Sequence, residues 1–325
     1  MNASFIQRVS VASALTLIFT IGSANAAGYS WTEILIPSIG AISQAFGLND
    51  KRQVAVTSAD GSKTGIYRRG IFTPLPSPPA GYIVGALGIN NAGAIVGSAF
   101  PASDPSHEQG FILIGSSYTF FSRPGWDNTE ARAISPSGLV TGYSYDDAFT
   151  VFSGFVYDPP AGSFTDATPP GSGTGVSITQ GMNADGRITG DGRLPGLGRY
   201  AFVWQQGTLV KGKLELAPFL ARFKIADVNS AARGINDAGV IVGFTNSGVG
   251  FVGSDSRGFQ LLIPPGGDAP GASVSCEGIN NFRRVVCDVF DAAGNTRAFI
   301  GTPDADDQND HNDHNDQNDH NDHND

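Results

Sequence analysis

The sequence is poor in the residue types that carry most enzyme chemistry. It contains two cysteines and five histidines, and four of the histidines lie in the last fifteen residues, at His311, His314, His320 and His323. The rest of the chain has one histidine, His107, so a histidine-dependent catalytic triad would have to use it. No G-x-S-x-G stretch is present, which excludes a serine nucleophile elbow of that form.

Charge is also scarce. Charged residues form 15% of the chain, and most of the formal net charge of −10 comes from residues 304–325, which hold nine aspartates and no lysine or arginine. The remaining chain is nearly neutral and offers no basic patch to nucleic acid or to an anionic membrane. No stretch reaches the roughly 20 apolar residues that a membrane-spanning helix needs. We therefore expect neither a nucleic-acid partner nor a membrane span.

The N-terminus has the features of an export signal. Arg8 stands in a short polar segment, an apolar run covers residues 11–21, and Ala24-Asn25-Ala26 offers small residues for cleavage. Residues 1–26 are predicted to be a cleaved signal peptide, and the protein is expected to be periplasmic or fully secreted. No cysteine follows the cleavage motif, so a lipid anchor is unsupported.

What the sequence does contain is one motif written six times. It reads Gly-Ile-Asn-Asp-Ala-Gly-Val-Ile-Val-Gly from Gly234, and related copies begin at Gly47, Gly88, Ala133, Gly181 and Gly278. Each copy places a turn rich in Asn, Ser, Asp and Gly between apolar runs, which predicts a β-hairpin. The starts are 41 to 53 residues apart, a period typical of propeller blades.

Two further apolar runs follow each hairpin, so one repeat supplies four short strands. Clusters such as Pro78-Pro79-Ala80-Gly81 separate the repeats, as inter-blade loops require. Residues 31–37 look like the last strand of a repeat, and the sixth repeat lacks that strand. The sequence therefore predicts one all-β domain over residues 27–303. This domain is a six-bladed β-propeller of four-stranded blades, closed by an N-terminal strand that completes the last blade.

The second half of the repeat completes a resemblance to a known family. Ala201-Phe202-Val203-Trp204 and Ala298-Phe299-Ile300 follow the hairpins of their repeats, and Gly110-Phe111 and Gly154-Phe155 stand at the same place in others. With the Gly-Ile-Asn turns, this pattern resembles the bacterial extracellular HAF-repeat family, although the family's histidine is absent from every copy. The resemblance extends over about residues 47–300. It implies a secreted β-propeller-like protein and carries over no catalytic residues.

The two cysteines flank the sixth hairpin. Cys276 and Cys287 lie symmetrically about Asn281 and Phe282, as residues opposite each other in an antiparallel pair do. In an exported chain this placement predicts a cross-strand disulfide. The spacing is not C-x-x-C and no histidine is near, which disfavours a redox or metal-binding pair.

The C-terminal segment from residue 304 repeats Asn, Asp and His, with no apolar residue beyond Ala305. Such a composition cannot bury enough surface to offset its ordering entropy, so the tail is predicted to be disordered. Interleaved with carboxylates, His311, His314, His320 and His323 form a candidate weak site for Zn, Ni or Cu. A solvated acidic tail is the alternative interpretation. No other cofactor is predicted.

Candidate binding residues lie in the loops that differ most between repeats. If the Asn turns join the first two strands of every blade, they share one face, and the other main loops share the opposite face. Variable loops on a repeated scaffold are where binding residues are generally placed. We interpret the Asn turns as folding elements. The predicted functional face includes Asp104, His107, Trp126, Asp127, Asp146 and Asp147.

These observations favour a monomeric binding or surface-interaction protein whose extracellular ligand is a glycan, a peptide or a protein. Two alternatives stay open. One is a propeller hydrolase or lyase acting on a polysaccharide or a small ester, and the other is a structural component of an extracellular matrix. The hydrolase would use paired carboxylates. The candidates for that pair are Asp104, Glu108, Glu130, Asp146 and Asp147.

Overall fold

The computed structural model describes residues 28–40, 42–168, 177–194, 198–205, 208–211, 229–254 and 256–304. These residues form 24 β-strands in six antiparallel four-stranded sheets, and each sheet is one blade of a ring. The predicted six-bladed β-propeller is confirmed. The predicted signal peptide and the four tail histidines lie outside the described residues. Within the described ranges, no helix is long and apolar enough to cross a membrane.

The chain starts with β1 (Tyr29–Glu33) and then builds the first three blades in order. Blade 1 consists of β2 (Ile42–Leu48), β3 (Val54–Ser58), β4 (Thr64–Arg68) and β5 (Ile71–Pro74). Blade 2 consists of β6 (Tyr82–Ile89), β7 (Ile95–Pro101), β8 (Gln109–Ile114) and β9 (Ser117–Phe121). Blade 3 consists of β10 (Asn128–Ile134), β11 (Val140–Tyr145), β12 (Phe152–Asp158) and β13 (Ser163–Asp166).

The remaining strands build the other half of the ring. Blade 4 consists of β14 (Ser177–Met182), β15 (Arg187–Leu194), β16 (Gly198–Gln205) and β17 (Thr208–Lys211). Blade 5 consists of β18 (Ser230–Ile235), β19 (Ile241–Thr245), β20 (Gly250–Ser254) and β21 (Gly258–Leu262). Blade 6 consists of β22 (Ser273–Ile279), β23 (Val285–Phe290), β24 (Thr296–Pro303) and β1.

The N-terminal strand closes the ring, as predicted. β1 pairs antiparallel with β24, from Tyr29 opposite Pro303 to Glu33 opposite Phe299. Arg297 donates from Nε and Nη2 to the two carboxylate oxygens of Glu33, each at 2.8 Å. The hydrogen bond from Arg297 lowers the pKa of the Glu33 carboxyl. Pairing in this way covers the edge that β24 would otherwise present to solvent.

The motif asparagine links each blade to the next. In five blades its Oδ1 accepts the backbone N–H four residues on at 2.9 to 3.0 Å, while its Nδ2 donates to the equivalent carbonyl of the following blade at 3.0 to 3.2 Å. Blade 3 has Ser135 instead, whose hydroxyl accepts the Leu139 N–H at 3.1 Å. The five residues of this asparagine ring are Asn49, Asn90, Asn183, Asn236 and Asn280.

One apolar cluster fills each space between adjacent blades. The third strands of blades 2 to 6 each contribute a phenylalanine that is at most 2% exposed. These are the phenylalanines of the second half of the repeat, and their burial explains why the motif requires them. They are Phe111, Phe155, Phe202, Phe251 and Phe299.

The innermost strand of every blade contains a β-bulge near its end. In β10, for example, pairing with β11 shifts between Ala131 and Ala133, so Arg132 has no partner in the ladder. The bulge pushes the strand backbone toward its neighbour, because a Cβ on Gly142 would overlap the carbonyl oxygen of Glu130. In blades 2 to 5 the final residue of the motif is a glycine that allows this close approach, whereas blades 1 and 6 have Val56 and Cys287 at that position.

The predicted disulfide is confirmed. Cys276 on β22 lies directly opposite Cys287 on β23, and the two are bonded. Both cysteines are fully buried in the cluster between blades 5 and 6. The bridge therefore joins the first two strands of the blade that β1 completes.

Candidate functional site

The six bulges place six different side chains around the propeller axis. The innermost strands contact one another in a closed ring, and a bulge directs its extra residue away from the ladder. Four of the six residues are polar and come from the consecutive blades 3 to 6, while blades 1 and 2 supply apolar residues. We call this set the axial ring: Phe46, Leu87, Arg132, Gln180, Arg233 and Glu277.

The axial ring borders a cavity of about 90 Å³ that is partly open. Besides the ring, the cavity is lined by the last two residues of each innermost strand, which lie directly before the Asn turns. The cavity therefore extends from the ring toward the turn face. Its size suits a few water molecules or the end of a ligand.

Arg132 lines the axial cavity from blade 3. Its guanidinium forms an ion pair with Glu130, donates from Nη2 to the Tyr143 hydroxyl at 3.3 Å, and lies 5.7 Å from the centre of the Phe46 ring in blade 1. Burial by itself would lower the pKa of Arg132, but Glu130, Tyr143 and Glu277 together raise it. The guanidinium is thus held in its charged form.

Arg233 faces the axis from blade 5. Its Nε lies 3.7 Å from Oε2 of Glu277, and its guanidinium stacks 5.0 Å from the centre of the Phe244 ring. Burial lowers the pKa of Arg233, and the carboxylates of Glu277 and Asp191 oppose that shift. Glu277 also accepts a hydrogen bond from the Ser275 hydroxyl.

A further ion pair lies behind the ring. Arg199 donates from Nε to Asp191 at 2.7 Å, and its guanidinium stacks 5.3 Å from the Phe244 ring. With the pairs of Arg132 and Arg233, the axis therefore contains three guanidinium groups and three carboxylates. Buried charges persist only when they are paired in this manner.

Several polar atoms at the axis have no hydrogen-bond partner among the described residues. On the cavity wall these atoms are Nε of Arg132, Nε2 of Gln180 and Nε of Arg233. Gln180 is 5% exposed and Arg233 is 7% exposed. The two arginine Nε atoms face the carboxylates of Glu130 and Glu277, so Gln180 Nε2 is the donor that has no charged group against it. Buried polar groups are almost always hydrogen-bonded, and this amide therefore marks the cavity as a candidate site.

The structure brings four of the six sequence-predicted binding residues together on the loop face. His107 Nδ1 is 2.5 Å from Asp104 Oδ2, and His107 Nε2 is 3.5 Å from Asp147 Oδ2. The Asp127 carboxylate accepts the Asp147 N–H at 3.1 Å. We call Asp104, His107, Asp127 and Asp147 the rim cluster. No group of three or more His, Cys, Asp or Glu in the described part of the chain is arranged as a metal site.

The other two predicted residues have local roles in the structure. Asp146 accepts hydrogen bonds from the Thr150 N–H at 2.7 Å and the Val151 N–H at 2.9 Å, which organises its own loop. The Arg123 guanidinium lies over the Trp126 ring, with its Cζ 5.5 Å from the ring centre. The same guanidinium donates a hydrogen bond from Nη1 to the Ser153 hydroxyl at 3.0 Å. Neither side chain joins the rim cluster.

A polar path connects the rim cluster to the axis between blades 2 and 3. Asn128 donates from Nδ2 to Asp147 at 3.1 Å and accepts the Glu108 N–H at 2.8 Å. The buried Glu108 carboxyl accepts the Tyr145 hydroxyl at 2.5 Å. The pKa of Glu108 is raised well above its ordinary value, mainly by burial and to a smaller extent by the nearby Glu130 carboxylate. Glu130 itself pairs with Arg132 of the axial ring.

A second cavity of about 310 Å³ lies between blades 1 and 2 on the loop face. Phe72, Leu75, Tyr82 and several prolines line it, together with Lys63. None of its lining residues carries a buried polar atom without a partner. It therefore lacks the convergent polar groups that orient a ligand.

Sequence reasoning missed the axial ring. In blades 3 to 6 the residue just before the motif is polar, while the residues beside it are apolar or small. These polar residues are Arg132, Gln180, Arg233 and Glu277. An alignment of the six repeats that included this residue would have shown that it is apolar in blades 1 and 2 and polar in blades 3 to 6. Glu130, in contrast, was among the carboxylates proposed for a catalytic pair. It lies in β10, and the structure places it beside the axis.

Comparison with known proteins concerns the fold. No protein-family model matches the chain, and no curated protein matches it. Virginiamycin B lyase from Staphylococcus aureus is 9% identical, with 83% of this chain and 88% of that chain covered and a TM-score of 0.47. XC5397 from Xanthomonas campestris, described as a gluconolactonase, is 11% identical, with 88% and 99% covered and a TM-score of 0.49. TolB from Acinetobacter baumannii is 14% identical, with 80% and 54% covered and a TM-score of 0.43.

The resemblance to the HAF-repeat family stays a prediction, because none of these comparisons tests it.

Proposed function

We propose that the protein is an exported binding protein that takes a small polar ligand, or the polar end of a larger one, into the axial cavity. The observation that carries this proposal is the buried Nε2 of Gln180, which has no hydrogen-bond partner among the described residues and lies on the wall of the cavity that Arg132, Arg233 and Glu277 also line. Burying such groups costs free energy unless something hydrogen-bonds to them. A bound ligand group supplies that partner.

Export is supported by the Cys276–Cys287 disulfide, because disulfides persist in oxidising compartments. The signal-like N-terminus agrees with it. The extracellular ligand is a glycan, a peptide or another molecule with a polar end that fits the cavity. The rim cluster lies on the opposite face and is the alternative site.

The test is a binding screen with the mature protein against a glycan array and a small-metabolite library, followed by titration calorimetry. The informative variant is Leu87→Trp. It fills the cavity from its apolar side and leaves all four polar ring residues in place. Ligand binding should be lost in this variant, while the far-ultraviolet circular dichroism stays that of the wild type.

The matched control is the double variant Asp147→Asn with His107→Gln, which alters the rim cluster on the opposite face. Binding that survives Leu87→Trp and disappears in the rim variant would move the site to the loop face predicted from the sequence. Binding that survives both would reject the axial proposal and the sequence prediction together.

A hydrolase or lyase is the second candidate, and one observation favours it. Glu108, whose pKa is raised by burial and by Glu130, favours its protonated form and so has a proton to donate. Glu130 lies beside it with the Arg132 guanidinium as its partner. Carboxyls in contrasting environments are the usual arrangement of a general acid and a general base.

The catalytic candidate is tested with chromogenic glycosides and small esters. Glu108→Gln and Glu130→Gln should each lower kcat by at least about a hundredfold if the two act as acid and base. Turnover that is unchanged in both variants would leave the carboxyls with a structural role only.

A further inference from the structure

Positive charge is concentrated at one corner of the turn face, where blade 6 meets blade 1. The corner is formed by the Asn turns of these two blades and by the turn between β4 and β5, and it holds six of the 20 lysines and arginines of the chain. The nearly neutral charge of the repeats predicted no basic patch, and the structure corrects that prediction here. We call these residues the basic corner: Lys51, Arg52, Arg68, Arg69, Arg283 and Arg284.

Hydrogen bonds join the three turns of the basic corner. Asn281 of blade 6 donates from its backbone N–H and from Nδ2 to the Asp50 carboxylate of blade 1, at 2.8 and 3.0 Å. Arg68 in the β4–β5 turn donates from Nε to the Lys51 carbonyl at 3.1 Å. The three turns therefore form one continuous surface.

Neighbouring carboxylates do not neutralise this surface. Four of its side chains are exposed, and within the described ranges none of these four forms an ion pair with a carboxylate. They are Lys51, Arg52, Arg68 and Arg69. Burial, and then the charge of Arg52, lower the pKa of Arg284. Like charges that lie so close repel one another, so an anion at this corner is favoured.

The arginines of the basic corner occupy backbone positions that suit glycine. At the fourth residue of the Asn turn, blades 2 to 5 have a glycine with φ between 75° and 93°, whereas blade 1 has Arg52 at 61° and blade 6 has Arg283 at 57°. Arg69 in the β4–β5 turn has a φ of 51°. A residue with a Cβ is strained at such angles, and glycine is not. Arginine at three such positions of one corner indicates that its charge serves a contact.

The C-terminal segment leaves the propeller beside the basic corner. β24 ends at the turn face, where Pro303 pairs with Tyr29, and the Tyr29 hydroxyl donates to the Arg283 carbonyl at 2.9 Å. Residues 305–325 follow, with eight aspartates and no lysine or arginine. A flexible linker of this length spans about 25 Å, so these aspartates can reach the corner.

We propose that the basic corner binds the chain's own aspartate-rich segment, residues 305–325, through ion pairs between its guanidinium and ammonium groups and the aspartate carboxylates. The inference goes beyond the proposed function and does not depend on the axial cavity. A single exposed ion pair contributes little. Eight aspartates on one tethered segment, however, present their carboxylates at an effective concentration in the millimolar range. Because the contacts are exposed, salt should weaken them.

The test compares the full mature chain with a neutral-tail variant, in which all eight aspartates of residues 305–325 are replaced by asparagine. This change removes the charge and keeps the length. The backbone amide NMR signals of Arg52, Arg69 and Gly70 should differ between the two proteins at low ionic strength. The difference should vanish in about 1 M NaCl, where the Debye length is about 3 Å. It should not depend on protein concentration, since a dependence would show that a second copy supplies the segment and would overturn the proposal.

A synthetic peptide of residues 305–325 measures the same contact between separate molecules. It should bind the neutral-tail variant, and it should bind the wild type at least about tenfold more weakly because the attached segment occupies the corner. In the neutral-tail background, Arg52→Gly with Arg69→Gly should weaken peptide binding by about fivefold. The two glycines should not lower Tm, because glycine adopts these backbone angles without strain.

The matched control is Arg187→Ser with Arg257→Ser, which removes two exposed arginines from the turn face of blades 4 and 5. It should leave peptide affinity unchanged. Equal peptide affinity of the wild type and the neutral-tail variant, or an affinity unaltered by the two glycine substitutions, would overturn the inference. Dextran sulfate that binds both proteins equally well would also overturn it, because the corner would then be open to an external polyanion.

Discussion

Replacing Asn236 with serine should weaken one blade-to-blade contact and leave the hairpin turn intact. Asn236 Oδ1 accepts the Val240 N–H at 2.9 Å, and its Nδ2 donates to the Asn280 carbonyl in the next blade at 3.2 Å. Ser135 shows what serine does at the same position of blade 3, where its hydroxyl keeps the turn bond. Asn236→Ser therefore removes mainly the inter-blade donor.

The structure sets the size of the effect. The Asn280 carbonyl keeps a second partner, the Arg283 N–H at 3.0 Å, so no buried acceptor is left bare. The loss is then that of one net hydrogen bond, about 0.5 to 1.5 kcal/mol of unfolding free energy. Asn236→Ala should cost about 1 to 3 kcal/mol more, because the buried Val240 N–H loses its acceptor as well.

Equilibrium urea unfolding measures the difference as a shift in midpoint at unchanged slope. The reverse change, Ser135→Asn, supplies the missing donor between blades 3 and 4 and should stabilise the protein by about 0.5 to 1 kcal/mol. If Asn236→Ser and Asn236→Ala destabilise equally, or if Asn236→Ser has no effect, the inter-blade bonds do not contribute as described.

Four further changes should have distinct outcomes. Deleting residues 29–37 uncovers β24 and should cause aggregation or a large fall in Tm; melting equal to the full chain would contradict closure by β1. Cys276→Ser should lower stability by about 2 to 3 kcal/mol relative to the oxidised wild type and should match the reduced wild type; a difference that persists after reduction would show that the bridge is not the cause. The hydrogen bond to Asp104 raises the pKa of His107, so the pair should stabilise the fold fully below the ordinary histidine pKa and cease to do so as pH rises through the raised pKa. His107→Gln should flatten the dependence of Tm on pH in that range. An unchanged dependence would refute the pairing. Glu108→Gln places a neutral side chain where the wild type holds a protonated carboxyl. The stability of the variant relative to the wild type should therefore grow as pH rises above the ordinary pKa of a glutamate. A stability difference that is the same at every pH would show that Glu108 is not kept neutral.

The blade count, the closing strand and the disulfide could be predicted because each depends on a pattern within or between repeats. Six related copies of the turn motif predicted six innermost hairpins, and the symmetric spacing of Cys276 and Cys287 identified opposite residues. The interpretation of the Asn turns as folding elements stays a prediction, and their hydrogen bond to the next blade could not be foreseen. That bond depends on how blades pack, which a single repeat does not encode.

The axial ring escaped prediction for a different physical reason. Strand alternation assigns residues to faces with period two, but a bulge inserts one residue and breaks the period. Whether Arg132 takes a place in the strand ladder or is left out of it toward the axis depends on the partner strand β11. There Gly142 leaves room for the shifted backbone. Two further polar groups near the axis, Tyr143 and Asp191, lie in β11 and β15, strands that run toward the loop face.

The constraints on the repeat also explain why the axis is asymmetric. The asparagine is required for the inter-blade bond, the first motif glycine for close approach to the neighbouring innermost strand, and the third-strand phenylalanine for packing between blades. The bulge residue projects toward the axis and contributes to none of these contacts, so its side chain is free to differ between blades. A spherical ion on the axis would be matched by six similar side chains. The ring instead sets Phe46 and Leu87 against four polar residues, and this division does not fit such an ion.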